Sequence, residues 1–404
     1  MAKRKKDAGR KNVIITFKRK DKRAKSDDKQ EILRKAIDGG PRFLTSAEVS
    51  RAGRPVASGE DLDMVGFDVD RYEAPILMAR LTDKEIEALK NEKDVERVED
   101  DGEMFALDLQ REDAPQVLAQ TIPAGITQVK APEAWPSSQG EGIKVFICDT
   151  GIDSDHPDLV DNLRTGKSFV TSESSTEDYH GHGTHCAGTV AAALNDRGVV
   201  GVAPYAYLYP VKVLSSSGSG NWSWLIAALD WITDKKGARI ASMSLGGGGA
   251  PKALADMCEA AYNDGVLLVA AAGNSGPGNN TVGFPAKYPH VMAVSAVDGS
   301  DTIAGFSSRG PEVEICAPGV NVLSTTRGGG YGRMSGTSMA CPHVAGVAAL
   351  AWGAHRSANN KEVRWLLNVF ADKVGDKDQE KYGSGRADAN SSAFHIGALS
   401  EHAL

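Results

Sequence analysis

From about Ile122 to near the end of this 404-residue chain, short apolar runs alternate with segments of helical length, and no other feature restricts the fold as much. Residues 144–148 (KVFIC), 208–214, 240–245, 266–272, 291–297 and 313–317 are apolar runs of strand length with little polar alternation, the pattern of strands covered on both faces. Residues 182–194, 223–235, 251–263 and 338–355 have the length and composition of helices. Strand–helix alternation of this kind predicts a parallel α/β sheet with helices on both faces. Ligands of such sheets gather at the carboxyl ends of the strands.

Residues 1–107 are organised differently. They carry 24 Lys and Arg against 23 Asp and Glu, whereas the rest of the chain carries 22 against 30, so the net charge of -7 belongs to the second part. Residues 1–12 form a basic arm, which reads as a solvated extension. Residues 13–17, 75–79 and 95–98 have strand character and residues 32–37 helical character. In residues 82–91 (TDKEIEALKN), Thr82 stands three before Glu85, with Ile86 and Leu89 at helical spacing, which is a capping box opening a helix. A small open-faced α+β domain is expected here. Residues 108–121 are polar, interrupted by Pro115, and read as a linker to a larger domain over 122–404.

With 41% hydrophobic and 25% charged residues, the chain has the composition of a soluble globular protein. The negative balance argues against nucleic acid as a partner. No apolar run reaches the length that spans a bilayer, so no membrane partner is expected. The basic start is not followed by the apolar stretch of a secretory signal. Five cysteines, Cys148, Cys186, Cys258, Cys316 and Cys341, leave at least one thiol free and form no CxxC pair.

Four short segments carry the chemistry. Asp149 follows the strand KVFIC directly and taken alone would read as a turn or capping residue. The stretch YHGHGTHCAG puts His180, His182 and His185 within six residues of a chain that has nine histidines. Those three could be metal ligands, one catalytic base with two bystanders, or the polar start of a helix. Ser338, in GTSMACP, precedes Pro342 and opens a small-residue helix, where backbone N–H groups favour developing negative charge. Asn274 follows the strand 266–272, with its amide available to an oxyanion. All four stand at a strand end or a helix start, so they can meet along one sheet edge. Together they make a set for acyl transfer: Ser338 attacks, His182 moves its proton, Asp149 orients the imidazole, and Asn274 with the Ser338 N–H holds the oxyanion.

DTGID at 149–153, HGTHCAG at 182–188 and GTSMACPHVAG at 336–346 resemble the motifs of the subtilisin family of serine proteases, in that family's Asp, His, Ser order. HPDL at 156–159, GVAP at 201–204, SLGG at 244–247 and AAGN at 271–274 extend the resemblance over about 120–390. It implies a self-processing serine endopeptidase acting on proteins and peptides, with Asp149, His182 and Ser338 as triad. It implies substrate pairing with Ser244, Leu245 and Gly246 on one side and with the 217–220 segment, including Gly218 and Gly220, on the other. Trp222 would wall the pocket four residues before the cut, and Gly273 and Gly283 would line an S1 pocket for apolar side chains. Calcium is implied at Gln120, Asp158, Ala193, Asn195, Arg197 and Val199, with a second, weaker cation site near Glu312 and Glu314. Residues 1–107 resemble the family's inhibitory propeptide, with cleavage at Leu107–Asp108 and Met104–Leu107 left in the cleft. A monomer is expected. The family is usually secreted, which the absence of a visible signal leaves open. Cys186 and Cys341 are expected near the site as packing residues.

Overall fold

The computed structural model describes residues 9–18, 32–33, 35–36, 76–107, 110–113 and 119–394. The N-terminal unit is a three-stranded antiparallel sheet in which β1 (Arg10–Phe17) lies between β2 (Ile76–Thr82) and β3 (Val95–Asp100). Helix α1 (Asp83–Lys90) packs on it and opens on the expected capping box: Glu85 N–H donates to Thr82 Oγ1, and Glu85 returns a carboxylate to the Thr82 N–H at 2.8 Å. Strand character begins at Arg10, so the tail end of the expected basic arm is part of the sheet. Residues 1–8 lie outside the described residues.

Two short strands follow, β4 (Glu103–Ala106) and β5 (Gln110–Asp113). Part of the polar 108–121 linker is therefore extended and paired, rather than free of secondary structure.

The larger unit is built on seven parallel strands: β6 (Lys144–Asp149), β7 (Lys167–Ser168), β8 (Tyr207–Lys212), β10 (Arg239–Met243), β12 (Val266–Ala271), β13 (Met292–Val297) and β14 (Val313–Pro318). Their spatial order is β14-β13-β12-β10-β6-β8-β7. Between them in the chain lie the short β9 (Ser219–Asn221) and β11 (Leu245–Gly246), which belong to a separate sheet. The strands are apolar throughout because both faces are buried. Along β12, Leu267, Val269 and Ala271 enter one core while Val266, Leu268 and Ala270 enter the other, as the two-residue repeat of a strand requires. The first core holds α2 (His182–Ala191), the second α3 (Trp222–Thr233) and α4 (Lys252–Asn263), and α5 (Thr337–Ala354) runs through the first. The hairpin β15 (Val322–Thr326) and β16 (Gly330–Ser335), and α6 (Asn360–Val369), complete the elements used below.

The small unit docks on α3 and α4 through carboxylates. Neither helix has a side-chain cap of its own. Glu99 accepts the Lys252 and Ala253 N–H groups at 2.7 and 3.2 Å, and Asp101 accepts the Ser223 N–H at 3.0 Å and its hydroxyl at 2.7 Å. Each acid thus satisfies orphan donors at the positive end of a helix in the other unit. Arg97 adds an ion pair to Asp256.

Candidate active site

Asp149 ends β6 and His182 opens α2, and both are fully buried. Asp149 Oδ1 accepts the Thr150 N–H and stands 2.7 Å from His182 Nδ1. This close approach needs Gly183, where a Cβ would lie 2.1 Å from the Gly151 carbonyl oxygen. Burial disfavours the His182 imidazolium, but the charge of Asp149 and the hydrogen bond to it more than offset this, so His182 is held well above its ordinary 6.5.

Ser338 is the second residue of α5. Its Oγ donates to the Ser244 carbonyl at 2.9 Å and accepts the Leu107 N–H at 3.2 Å. The hydroxyl is therefore not bonded to His182, whose Nε2 is buried without a hydrogen-bond partner. The two residues still flank one thiol: Cys186 Sγ lies 3.9 Å from His182 Nδ1 and 3.6 Å from the Ser338 carbonyl oxygen.

Pro342 stands inside α5, beyond its first turn. It cannot donate to the Ser338 carbonyl, as an ordinary residue four positions on would. The Ser244 hydroxyl takes that place at 2.8 Å.

Asn274 is oriented from behind. Its Oδ1 accepts the Thr337 N–H at 3.0 Å and the Thr337 hydroxyl at 2.9 Å, which leaves its NH2 to face the cleft. There Nδ2 donates to the Leu107 carbonyl at 2.6 Å. Thr337 was not singled out in the sequence, although its place beside Ser338 is a usable signal.

The cleft is filled by the chain itself. Strand β4 lies antiparallel between β11 and β9, pairing Ala106 with Leu245, Phe105 with Gly246 and Ser219, and Met104 with Gly220. The Ala106 N–H adds a bond to the Gly218 carbonyl at 2.9 Å. Met104 is wholly buried in the cluster that contains Trp222, whereas Phe105 is 47% exposed, so alternate side chains face in and out. Gly220 admits Met104, since a Cβ there would come within 3.1 Å of Met104 Cε and 2.2 Å of the Val213 oxygen. At Gly246 a Cβ would stand 3.1 Å from Leu107 Cδ1. Gly273 and Gly283 adjoin each other: the Gly283 N–H bonds the Ala272 carbonyl, and a Cβ on Gly273 would lie 3.7 Å from the Gly283 nitrogen. Asp108 lies outside the described residues.

The three histidines do not share a ligand centre. His185 Nε2 is bonded to the Val322 carbonyl at 3.0 Å, and burial, with the charge of His182, pushes it down to about 3. The His180 ring stands 6.3 Å from that of His182 in an edge-on arrangement. Among the described residues, the one His/Cys/Asp/Glu group close enough to hold a metal is Asp149, His182 and Cys186. Burial pushes the thiols of Cys186 and Cys341 up, the latter to about 12, so both are neutral packing groups.

A second convergence gathers four oxygens around one amide nitrogen. Gln120 Nε2 lies 2.8 Å from the Ala193 carbonyl, 3.2 Å from Arg197 O, 3.4 Å from Asn195 Oδ1 and 3.5 Å from Val199 O. Asp158 borders them, accepting the Val199 N–H at 2.8 Å and the Tyr331 hydroxyl at 3.0 Å. These four oxygens converge where the Gln120 NH2 sits, and with that amide turned to present Oε1 the set would suit a hard cation. The weaker cation site expected near Glu312 and Glu314 has no such arrangement. Glu314 is paired with Arg364 and accepts a hydrogen bond from Asn368, and Lys287 approaches Glu312 at 3.6 Å.

Comparison with known proteins agrees with this architecture. The subtilase family (Peptidase_S8) model matches residues 140–385. Subtilisin E of Bacillus subtilis is 43% identical over 319 residues, covering 78% of this chain and 80% of its own. Subtilisin of Bacillus pumilus is 46% identical over 279 residues, 68% of this chain and all of its own. M-protease of Shouchella clausii is 43% identical over 316 residues, 78% of each. Among the described residues no helix is long and apolar enough to cross a membrane.

Proposed function

Since this chain belongs to the subtilase family and is a serine endopeptidase, we propose that Ser338, His182 and Asp149 carry its reaction and that its first substrate is its own Leu107–Asp108 bond. The observation that carries this reading is the position of Leu107, with its carbonyl oxygen on Asn274 and its N–H on Ser338 Oγ. A turn of Ser338 about its Cα–Cβ bond exchanges the Ser244 carbonyl for the unpartnered Nε2 of His182. His182 then takes the hydroxyl proton as Oγ attacks the Leu107 carbonyl carbon. Asp149 keeps Nδ1 protonated and stabilises the imidazolium, and Asn274 steadies the oxyanion together with the Ser338 N–H. Collapse of the tetrahedral adduct expels the Asp108 amine, which receives the proton from His182. Water hydrolyses the Leu107 ester by the same steps in reverse order of roles.

The product strand, Met104–Leu107, keeps its pairing with β9 and β11 after the cut, and the caps from Glu99 and Asp101 hold the rest of the small unit against α3 and α4. Residues 1–107 thereby act as an inhibitory propeptide. An apolar side chain before the cut is preferred, because Leu107 packs against the first core and no acidic residue stands at Gly273 or Gly283. Protein substrates enter as strands in the place of β4.

The oxygens around Gln120 fit calcium. Gln120, with its amide turned to present Oε1, would hold it together with Asp158, Asn195 and the carbonyls of Ala193, Arg197 and Val199, and the ion would supply a cross-link between the loop 193–199 and the start of the larger unit, with no part in bond cleavage. Expressing the chain beside its Ser338→Ala variant and following mass tests the core of this reading. Wild type sheds a fragment ending at Leu107 while the variant stays whole. Equal cleavage in both rejects self-processing by Ser338.

A further inference from the structure

Asp178 lies outside the triad, and the reaction above does not use it. It is 3% exposed, yet its carboxylate receives five hydrogen bonds. Oδ1 accepts from the Thr150 hydroxyl at 2.9 Å, the His180 N–H at 2.9 Å and the Gly181 N–H at 2.8 Å. Oδ2 accepts from the Thr184 N–H at 2.9 Å and its hydroxyl at 2.7 Å. Burial pushes the carboxyl up, but these donors outweigh it and hold the group below its usual range, so it is an anion.

The donors come from the two turns that carry the catalytic acid–base pair. Thr150 follows Asp149 at the end of β6, and Gly181 and Thr184 flank His182 at the start of α2. Gly181, the residue before the helix, is left-handed at φ 103° and has no side chain, so α2 cannot cap itself. Asp178 satisfies the otherwise orphaned Thr184 N–H instead. The ring closes through the Gly183 N–H, which donates to the Thr150 hydroxyl at 2.9 Å.

We propose that Asp178 is a positioning residue for catalysis: its carboxylate fastens the Asp149 turn to the His182 turn, and so fixes His182 Nδ1 against Asp149 Oδ1. Every group that faces its two oxygens is a donor. An amide is therefore a poor substitute despite its shape, since its NH2 would meet N–H and O–H groups on whichever side it took. The requirement is for an acceptor at both oxygens, not merely for a side chain that fills the space.

This rests on His182 being the general base, so the experiment includes that control. Mature enzyme is prepared for wild type, Asp178→Asn, Asp149→Asn, the double variant and His182→Ala by cleaving residues 1–107 in trans with resin-bound wild-type enzyme, which is then removed; kcat and KM are measured on a short peptide amide across pH, per site titrated with a fluorophosphonate where His182 is kept and per folded protein in His182→Ala. Asp178→Asn is expected to lower kcat about 100-fold, the scale for a misplacement of about 1 Å, while KM stays within about threefold because β9 and β11 are untouched. The acid limb of kcat/KM should move to lower pH. His182 is faced by Asp149, Cys186, His180 and His185, and both a looser Asp149 bond and the loss of the Asp178 charge disfavour its cation. The double variant should be scarcely worse than Asp149→Asn alone, since a clamp is worthless once its object is gone.

A merely structural Asp178 would leave kcat per titrated site and the acid limb where they are, and would give additive losses; that result overturns the proposal. Activity surviving in His182→Ala would instead remove the reading it rests on. Should Asp178→Asn fail to fold, Thr150→Val with Thr150→Ser as its rescue repeats the test from the other side of the clamp. The proposal requires about a tenfold fall in kcat for the first and its recovery in the second, and equal activity in the two rejects it.

Discussion

The two sheets of this protein are stabilised in different ways. The seven-stranded sheet is covered on both faces and its strands and helices enclose two cores of their own. The three-stranded sheet has one modest core, centred on Val13, Ile15, Phe17, Leu81 and Leu89, and its other face gives Ile14 and Ile76 to the second core of the larger unit. The described part of this unit buries little by itself and shares Ile14 and Ile76 with the interface, whereas the two large cores are built mostly from the larger unit's own elements. The difference suits the proposed propeptide, which the interface would hold in place before cleavage.

The largest effect that would break this comparison concerns Ser338→Ala. The variant should abolish self-cleavage and peptide hydrolysis, by about 10⁶-fold, a magnitude that belongs to subtilisin, a relative of this chain. It should nevertheless keep both sheets folded, as one cooperative transition in calorimetry. A separate low-temperature transition for the small unit would mean that it does not depend on the interface. Asn274→Ala should lower kcat by about 10²–10³, again the size drawn from subtilisin, and leave the Tm unchanged. The pH dependence follows from His182. Its cation is favoured in the folded protein, so the pairing with Asp149 adds stability below the ordinary 6.5 that is lost as pH rises through the higher folded value. Catalysis needs the neutral ring, so kcat/KM should rise with pH through one ionisation above 6.5. An acid limb below that value would show that the Asp149 contact does not survive the opening of the cleft.

Much of this was legible in the sequence, for identifiable reasons. Strands such as Val266–Ala271 declare themselves because burial on both faces leaves no polar positions, and the motifs around Asp149, His182 and Ser338 sit at the ends of such strands and helices. The hairpin Val322–Thr326 and Gly330–Ser335 was missed, since glycine, serine and threonine dominate it and its apolar residues are few. The pairing of Gln110–Asp113 with that hairpin was missed too, because a polar strand added to an edge is held by backbone bonds that leave no apolar repeat. Asp178 and Thr337 escaped for a different cause. Asp178 acts by what it accepts and Thr337 by what it donates to Asn274, in both cases with partners brought close only by the fold, and a single sequence carries no periodicity for that.

Calcium sharpens the comparison at a smaller scale. In one uncut chain Leu107 lies on Asn274 while Gln120 reaches the Ala193 loop, so the proposed cation site would not have to wait for cleavage. Saturating calcium, at about 100 times its Kd, should stabilise the uncut Ser338→Ala chain by about 2.7 kcal/mol, read as a rise in Tm of a few degrees. Gln120→Ala should reduce that rise. Binding by the mature enzyme but not by the uncut variant would show that the linker is too short to serve both sites.

The smallest effects are expected at the caps. Glu99→Gln leaves a neutral acceptor where a charge meets a helix start, at a cost of about 1 kcal/mol, or roughly fivefold in the affinity of residues 1–107 added back to mature enzyme; Asp101→Asn should cost less, because burial already disfavours the Asp101 charge. The two should differ in their response to acid. Burial raises the Asp101 carboxyl in the docked state, against the pull of the Ser223 bonds. The docked form thus binds a proton more readily than the free unit does, and this residue's contribution to affinity grows as pH falls through the raised value, flattening above it. Inhibition measured from neutral to acid pH should show that trend in wild type and lose it in Asp101→Asn. If both proteins weaken alike on acidification, the interface is governed by other carboxylates, and Asp101 is held in place rather than holding.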